Sequence, residues 1–183
     1  AAAAAGIMAS AAANAGIPAA KVEKYDEEYD VVIIGSGFAG MACALKAGRA
    51  GKKVLMLEKM PVVGGNSAIC GGNVACPVNP VQKAQGIKDS RELFIADCLK
   101  DGLGLNHVEL LSKIVDRCND TIKFVEDCGA EFVPNHMLFE GGHSVPRSYE
   151  IKAGTGSGYI HPMYDQIKKL SNVTVKTRAK FDD

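Results

Sequence analysis

The sequence predicts an α/β fold built on a Rossmann-like βαβ unit with a parallel sheet, and three observations predict it. Val31–Ile34 is a short apolar, β-branched run, the pattern of a parallel strand buried on both faces. Gly35, Gly37 and Gly40 follow at once as G-x-G-x-x-G and open a helix-spaced run from Phe38 to Arg49. Gly51 then marks a stop, and a second strand, Lys53–Leu57, ends on Glu58.

Each piece has a physical job. Gly35 permits the tight strand-to-helix turn, Gly37 lets a pyrophosphate approach the backbone, and Gly40 lets the helix pack close to the strand. The free N–H groups at the helix start, with the helix dipole behind them, favour a negatively charged ligand. Glu58, at the tip of the second strand, is placed to accept hydrogen bonds from ribose hydroxyls. A glycine triplet alone could be an ordinary turn in an α/β protein. Strand, glycines, helix, strand and acid in this order point to a dinucleotide site.

Beyond Glu58 and Lys59, the glycine pairs Gly64–Gly65 and Gly71–Gly72 lie seven apart, with Asn66 and Ser67 just after the first. Their amides and side chains suit a flat ligand or a second phosphate face. The stretch could also be a flexible glycine loop, but its place directly after the ribose acid favours the ligand. A nicotinamide dinucleotide competes for the same fingerprint, and Glu58 would then select NAD over NADP. The G-G-N-S run tips the reading to FAD.

The remaining elements follow in order. Val78–Lys88, with Pro80 and Gly86, reads as loop. Asp89-x-x-Glu92 is a capping-box pattern ahead of a helix over Leu93–Lys100, and Asn106-x-x-Glu109 is a second. Leu110, Leu111, Ile114, Val115 and Cys118 form one apolar face. Thr121–Cys128 reads as a further helix with Gly129 as its stop, and Glu131–Val133 as a short strand. Phe139–Gly158 is loop-rich. Tyr159–Leu170 reads as a helix with Pro162 in its first turn. Asn172–Phe181 alternates as the third parallel strand.

Length and composition bound the function. A chain of 183 residues can build one domain with a real core. Lys plus Arg equals Asp plus Glu, 21 against 21, which argues against a nucleic-acid face or a polybasic membrane patch. The six cysteines form neither C-x-x-C nor C-x-x-C-H, so neither a zinc ribbon nor a covalent haem site is predicted, and no metal ligands are assigned. Cys43, Cys98, Cys118 and Cys128 fall on predicted helices and read as buried structural thiols. A Cys70–Cys76 disulfide is an open alternative that is not favoured. Residues 1–20 hold twelve alanines and no basic residue, and read either as the remnant of an export signal or as a disordered or locally helical tail. Residues 21–183 form the dinucleotide-binding portion.

The runs G-S-G-F-A-G, L-E-K, G-G-N-S, C-G-G-N and G-G-H-S-V-P-R together resemble the flavoprotein family of fumarate reductases and succinate dehydrogenases. By pattern the nearest members are the soluble, exported fumarate and urocanate reductase flavoproteins of the flavocytochrome c type. The resemblance spans about Tyr29 to Phe181. It implies an FAD-binding domain of the glutathione-reductase type, incomplete at its C-terminus. Gly35, Ser36, Gly37, Phe38, Ala39 and Gly40 would hold FAD, with the Ala39 backbone at the pyrophosphate. Glu58 with Lys59 would take the adenosine ribose. Gly65, Asn66 and Ser67 would run along the ribityl and pyrophosphate. Gly71 and Gly72 would lie beside the isoalloxazine, with Gly72 also near substrate, and Ala179 would meet the adenine.

Membrane-bound relatives attach FAD through a histidine, and Gly65–Gly72 contains none, so the resemblance implies non-covalent FAD. The implied activity is hydride transfer from reduced flavin to the double bond of an unsaturated carboxylate such as fumarate or urocanate. Alternatives are a succinate-type or other FAD dehydrogenase, and a flavin-binding electron-transfer module without activity of its own. The family's catalytic arginine and substrate-clamping histidines belong to later sequence, so no catalytic residue is assigned here. The rest of the flavoprotein, in the same or another chain, is an expected partner. So is a separate electron donor such as a cytochrome c. The expected location is periplasmic or exported, and otherwise cytoplasmic. His143 and Arg147 could form a cationic pair near the flavin; a turn with Arg147 in a structural ion pair is the favoured reading.

Overall fold

The sheet that carries the fingerprint has three parallel strands. The computed structural model describes residues 25–182; residues 1–20, with the export-signal reading, lie outside them. Strand β1 (Val31–Ile34) leads through the glycines into helix α1 (Phe38–Arg49), and β2 (Val54–Glu58) returns beside β1. Strand β5 (Val173–Thr177) pairs with the other side of β2, so the order is β1-β2-β5. Val31 is level with Val54, and Glu58 with Thr177. The third strand therefore lies where the sequence placed it, although shorter than Asn172–Phe181.

β1 is not buried on both faces. Ile33 faces α1 and is buried, whereas Val32 and Ile34 are more than half exposed on the other face. Among the described residues packing is on one side only: α1 and α6 (Ser157–Ile167) cover the Ile33 face, joining Met41, Leu45, Val54, Met56, Ile160 and Met163 in one core.

Between β2 and β5 the chain builds a second, mostly helical region. Short helix α2 (Gly65–Ile69) is followed by β3 (Val74–Ala75), which pairs antiparallel with β4 (Ser148–Tyr149). The expected strand at Glu131–Val133 is a single bridge, Phe132 to Ile151. A second core gathers Cys76, Phe94, Val115, Cys118, Ile122, Met137 and Tyr149 between this small sheet and helices α4 (Arg91–Asp101) and α5 (Val108–Cys128).

Several local expectations shift. Val78–Lys88 is not all loop: α3 (Pro80–Ala84) starts on Asn79, whose side chain accepts from Gln82 N–H while the Gln82 side chain accepts from Asn79 N–H. Ser90, not Asp89, caps α4 by accepting from Leu93 N–H at 3.0 Å. Asn106 does not cap α5. It packs on Gly102, and His107 occupies the cap position without a side-chain bond. The two helices expected before Gly129 are one helix of 21 residues, since neither Gly nor Pro interrupts them, and Gly129 ends it in the left-handed region as predicted. α6 starts at Ser157, which places Pro162 in its second turn.

Candidate cofactor site

The β1–α1 turn is shaped by exclusion. Gly35 adopts a φ of +91°, which favours glycine. A Cβ on Gly40 would lie 2.1 Å from the Gly35 carbonyl oxygen, so α1 can start this close to β1 only with glycine at 40. At Gly37 an added Cβ would meet Ser67 Oγ at 3.0 Å. Met41 is the first residue of α1 whose N–H reaches the carbonyl four residues back, Gly37, at 2.9 Å. The Phe38 N–H is taken by Ser67 Oγ at 3.1 Å. The Gly37, Ala39 and Gly40 N–H groups have no acceptor among the described residues. Helix starts with such orphaned donors bind anions.

Glu58 is buried, and its carboxylate is engaged from inside. Ser36 donates to it from both N–H, at 3.0 Å, and Oγ, at 2.5 Å, while Met60 N–H donates at 2.8 Å. Ser36 Oγ in turn accepts from Gly64 N–H at 2.9 Å. Burial opposes ionisation of Glu58, but the Ser36 and Met60 donors outweigh it and hold the carboxyl below its usual range. One acid thus ties together the fingerprint turn, the end of β2 and the first glycine pair. Three donors leave room on the carboxylate for a further hydroxyl donor.

These elements enclose a cleft of about 880 Å³. It is lined by Gly35, Ser36, Gly37, Glu58, Lys59, Gly65, Asn66, Ser67 and Ala179 among the residues singled out from sequence. Ala179 is placed by its N–H, which bonds the Glu58 carbonyl at 3.0 Å. Phe38, Ala39, Gly40, Gly71 and Gly72 do not line it. The first three lie in the first turn of α1, and Gly72 is buried behind α2, at a φ of +75°. Gly64, read from sequence only as half of a glycine pair, also borders the cleft, and sequence reasoning missed Met60, Val62, Ile69 and Phe181, which border it too. Gly64 has a φ of +106°, and a Cβ there would meet Ile160 Cγ2 at 2.9 Å. The apolar wall residues carry no local signal. G-G-N-S is not simply a loop: Asn66 and Ser67 sit on the one-turn helix α2.

His143 and Arg147 lie away from this cleft. Arg147 is fully buried. Its Nη2 and Nε reach the two oxygens of Asp89 at 2.9 and 3.0 Å, and its Nη1 reaches Asp97 Oδ2 at 2.6 Å. The guanidinium stands 4.7 Å from the centre of the Phe94 ring. Ser144 donates to Asp97 from N–H and Oγ. Burial works against the Asp97 carboxylate, but the Ser144 bonds and Arg147 overcome it and lower its pKa to about 2. For His143, burial and the nearby Arg147 both lower the pKa. This is a self-contained ion-pair network, as favoured from sequence.

The cysteines are free, and Cys70 and Cys76 are unbridged: Cys70 is exposed at the end of α2, whereas Cys76 is buried in the second core. Cys43 corrects the sequence reading, because it is exposed on α1; Cys98 is half-buried. Among the described residues no helix is long and apolar enough to cross a membrane, and no cluster of three metal-ligating side chains occurs.

The orphaned donors, the glycine cradle and the buried acid fit an FAD that brings a pyrophosphate to α1 and a ribose to Glu58. Comparison with known proteins agrees. The chain is 42% identical to the acrylate reductase flavoprotein subunit of Shewanella woodyi over 181 residues, 98% of this chain and 35% of that protein. It is 35% identical to the urocanate reductase of Eggerthella lenta, over 85% of this chain and 26% of that one. The structure of the open conformation of a flavocytochrome c3 fumarate reductase superposes with a TM-score of 0.76 at 28% identity, over 84% of this chain and 27% of that one. The chain thus spans about a third or less of the length of these relatives. The FAD binding domain family matches residues 30–183, and with the geometry of the cleft this establishes that the chain belongs to that family and binds FAD.

Proposed function

We propose that this chain is the cofactor-holding part of a reductase that moves a hydride from reduced FAD to the double bond of an unsaturated carboxylate. The observation that carries the reading is the joining of this cleft to relatives named for acrylate and urocanate reduction. Bound flavin supplies the hydride when reduced. The chain's own residues bind and orient. The α1 N–H groups take the pyrophosphate, while Glu58 fixes the fingerprint turn and accepts from the ribose. Asn66 and Ser67 border the flavin-bearing half, and Ala179 floors the adenine. Gly71 and Gly72 are assigned by resemblance to the isoalloxazine, with Gly72 also near the substrate.

No side chain within Gly65–Gly72 is a histidine, which supports non-covalent attachment. The acid that protonates the substrate carbon and the groups that clamp its carboxylate are assigned to sequence outside this chain, which spans 35% of the Shewanella woodyi relative. Electrons come from a separate donor such as a cytochrome c, in keeping with a relative named fumarate reductase (cytochrome). Export to the periplasm rests on the alanine-rich head alone.

The test is anaerobic. Full-length protein is reduced chemically, then mixed with acrylate, urocanate or fumarate. Return of the oxidised flavin spectrum with one of them supports the reading. If all three leave the flavin reduced while the enzyme oxidises a saturated substrate with an artificial acceptor, it is a dehydrogenase instead.

A further inference from the structure

Tyr159 lies in the first helical turn of α6, is buried, and lines no part of the cleft. Its hydroxyl donates to the Gly72 carbonyl at 2.5 Å. Its ring stands edge-on to Phe38, the first residue of α1, with centroids 5.6 Å apart. The same end of α6 grips the stretch between these two contacts. Gly156 N–H bonds the Cys70 carbonyl at 2.8 Å, and a Cβ on Gly156 would fall 1.9 Å from Ser67 O and 3.1 Å from Phe38 Cζ. Gly72 is equally confined, since a Cβ there would meet Ile151 Cγ2 at 2.6 Å.

The N–H groups of Gly71, Gly72 and Asn73 find no acceptor among the described residues. A trans peptide points its N–H opposite to its C=O. Fixing the Gly72 carbonyl therefore fixes the direction of the Asn73 N–H. Three successive free donors suit the polar edge of a flat heteroaromatic ring.

We propose that Tyr159 is a positioning residue for the cofactor, its hydroxyl holding the Gly71–Asn73 donors in register with the start of α1. The inference rests on the FAD reading given above. Burial keeps the phenol protonated well past its usual range, so it remains a donor at any working pH. The ring packs on both Phe38 and Phe132 and would do so without the hydroxyl. Tyr159→Phe therefore isolates the single bond to Gly72.

The experiment uses the full-length flavoprotein with two variants of α6. Tyr159→Phe removes the hydroxyl, and Ile167→Val trims a buried side chain at the far end of the same helix. Tyr159→Phe is expected to weaken FAD binding about tenfold, the effect of one buried hydrogen bond left unmade. It is also expected to shift the flavin midpoint potential and the visible circular dichroism of the bound flavin. Ile167→Val is expected to lower the urea midpoint while leaving the FAD dissociation constant and potential unchanged. Wild-type affinity and potential in Tyr159→Phe, or equal shifts in both variants, overturn the positioning role alone. A wild-type protein that binds no FAD overturns both this role and the proposed function.

Discussion

The Glu58 side and the Arg147 side of the molecule each place polar or charged residues close to a glycine pair, yet they treat buried charge in opposite ways. Arg147 is held by two carboxylates and the face of Phe94. Around Glu58 the acid is satisfied by Ser36 and Met60, but the N–H groups of α1 beside it are not. A region that pairs its buried charge with counter-charges holds the fold. One that leaves donors unmet at the edge of a cleft suits a ligand that supplies the acceptors. Burial alone does not tell the two apart, since both charges are buried.

If that division is right, changes on the two sides separate into stability and cofactor binding. The largest loss of stability is expected for Arg147→Met. It strands Asp89 and Asp97, and breaking such a pair costs about 3–5 kcal/mol. Urea unfolding of the full-length protein would show it, with FAD affinity of the folded fraction close to wild type. A large affinity loss there would erase the contrast. Gly40→Ala is expected next. Its Cβ meets the Gly35 carbonyl, and such overpacking costs about 1–3 kcal/mol. Because the turn itself must move, FAD affinity should fall at least about tenfold, a drop read by flavin fluorescence.

How much of this was legible in the sequence depends on how local the cause is. The β1–α1–β2 unit was legible because its glycines act on their own turn. Helix α3 was misread as loop although its signal is local: Asn79 and Gln82 form a capping box around Pro80, but Pro80 and Gly86 read as loop markers. The α4 cap was not legible. Asp89 looks as good as Ser90 until Arg147, 58 residues away, takes its carboxylate. The exposed face of β1 was misread because an apolar strand does not say how many of its faces are covered. Tyr159 carries no motif, and its partner Gly72 is 87 residues away.

Acid offers a smaller effect on the Arg147 side. Asp97 titrates near 2 in the fold and near 4 when unfolded. Its contribution is therefore complete above about pH 4 and is lost as pH falls towards 2, a total of about 2 kcal/mol. Thermal unfolding of wild type and Asp97→Asn across that range should show a steeper decline for wild type. Equal slopes would mean that the ion pair adds nothing. Smallest is Glu58→Gln, at about 1 kcal/mol, because the amide accepts with only one oxygen and forfeits charge-assisted bonds. Its cofactor effect should outweigh its stability effect, with FAD binding about tenfold weaker.

The central claim is that the Glu58 side holds FAD without a covalent bond. It is tested most directly by precipitating the purified full-length flavoprotein with acid and measuring flavin in pellet and supernatant. The expected result is a yellow protein that gives up stoichiometric FAD to the supernatant and leaves a colourless pellet. A protein colourless from the start, or a flavin that stays with the pellet, would contradict it.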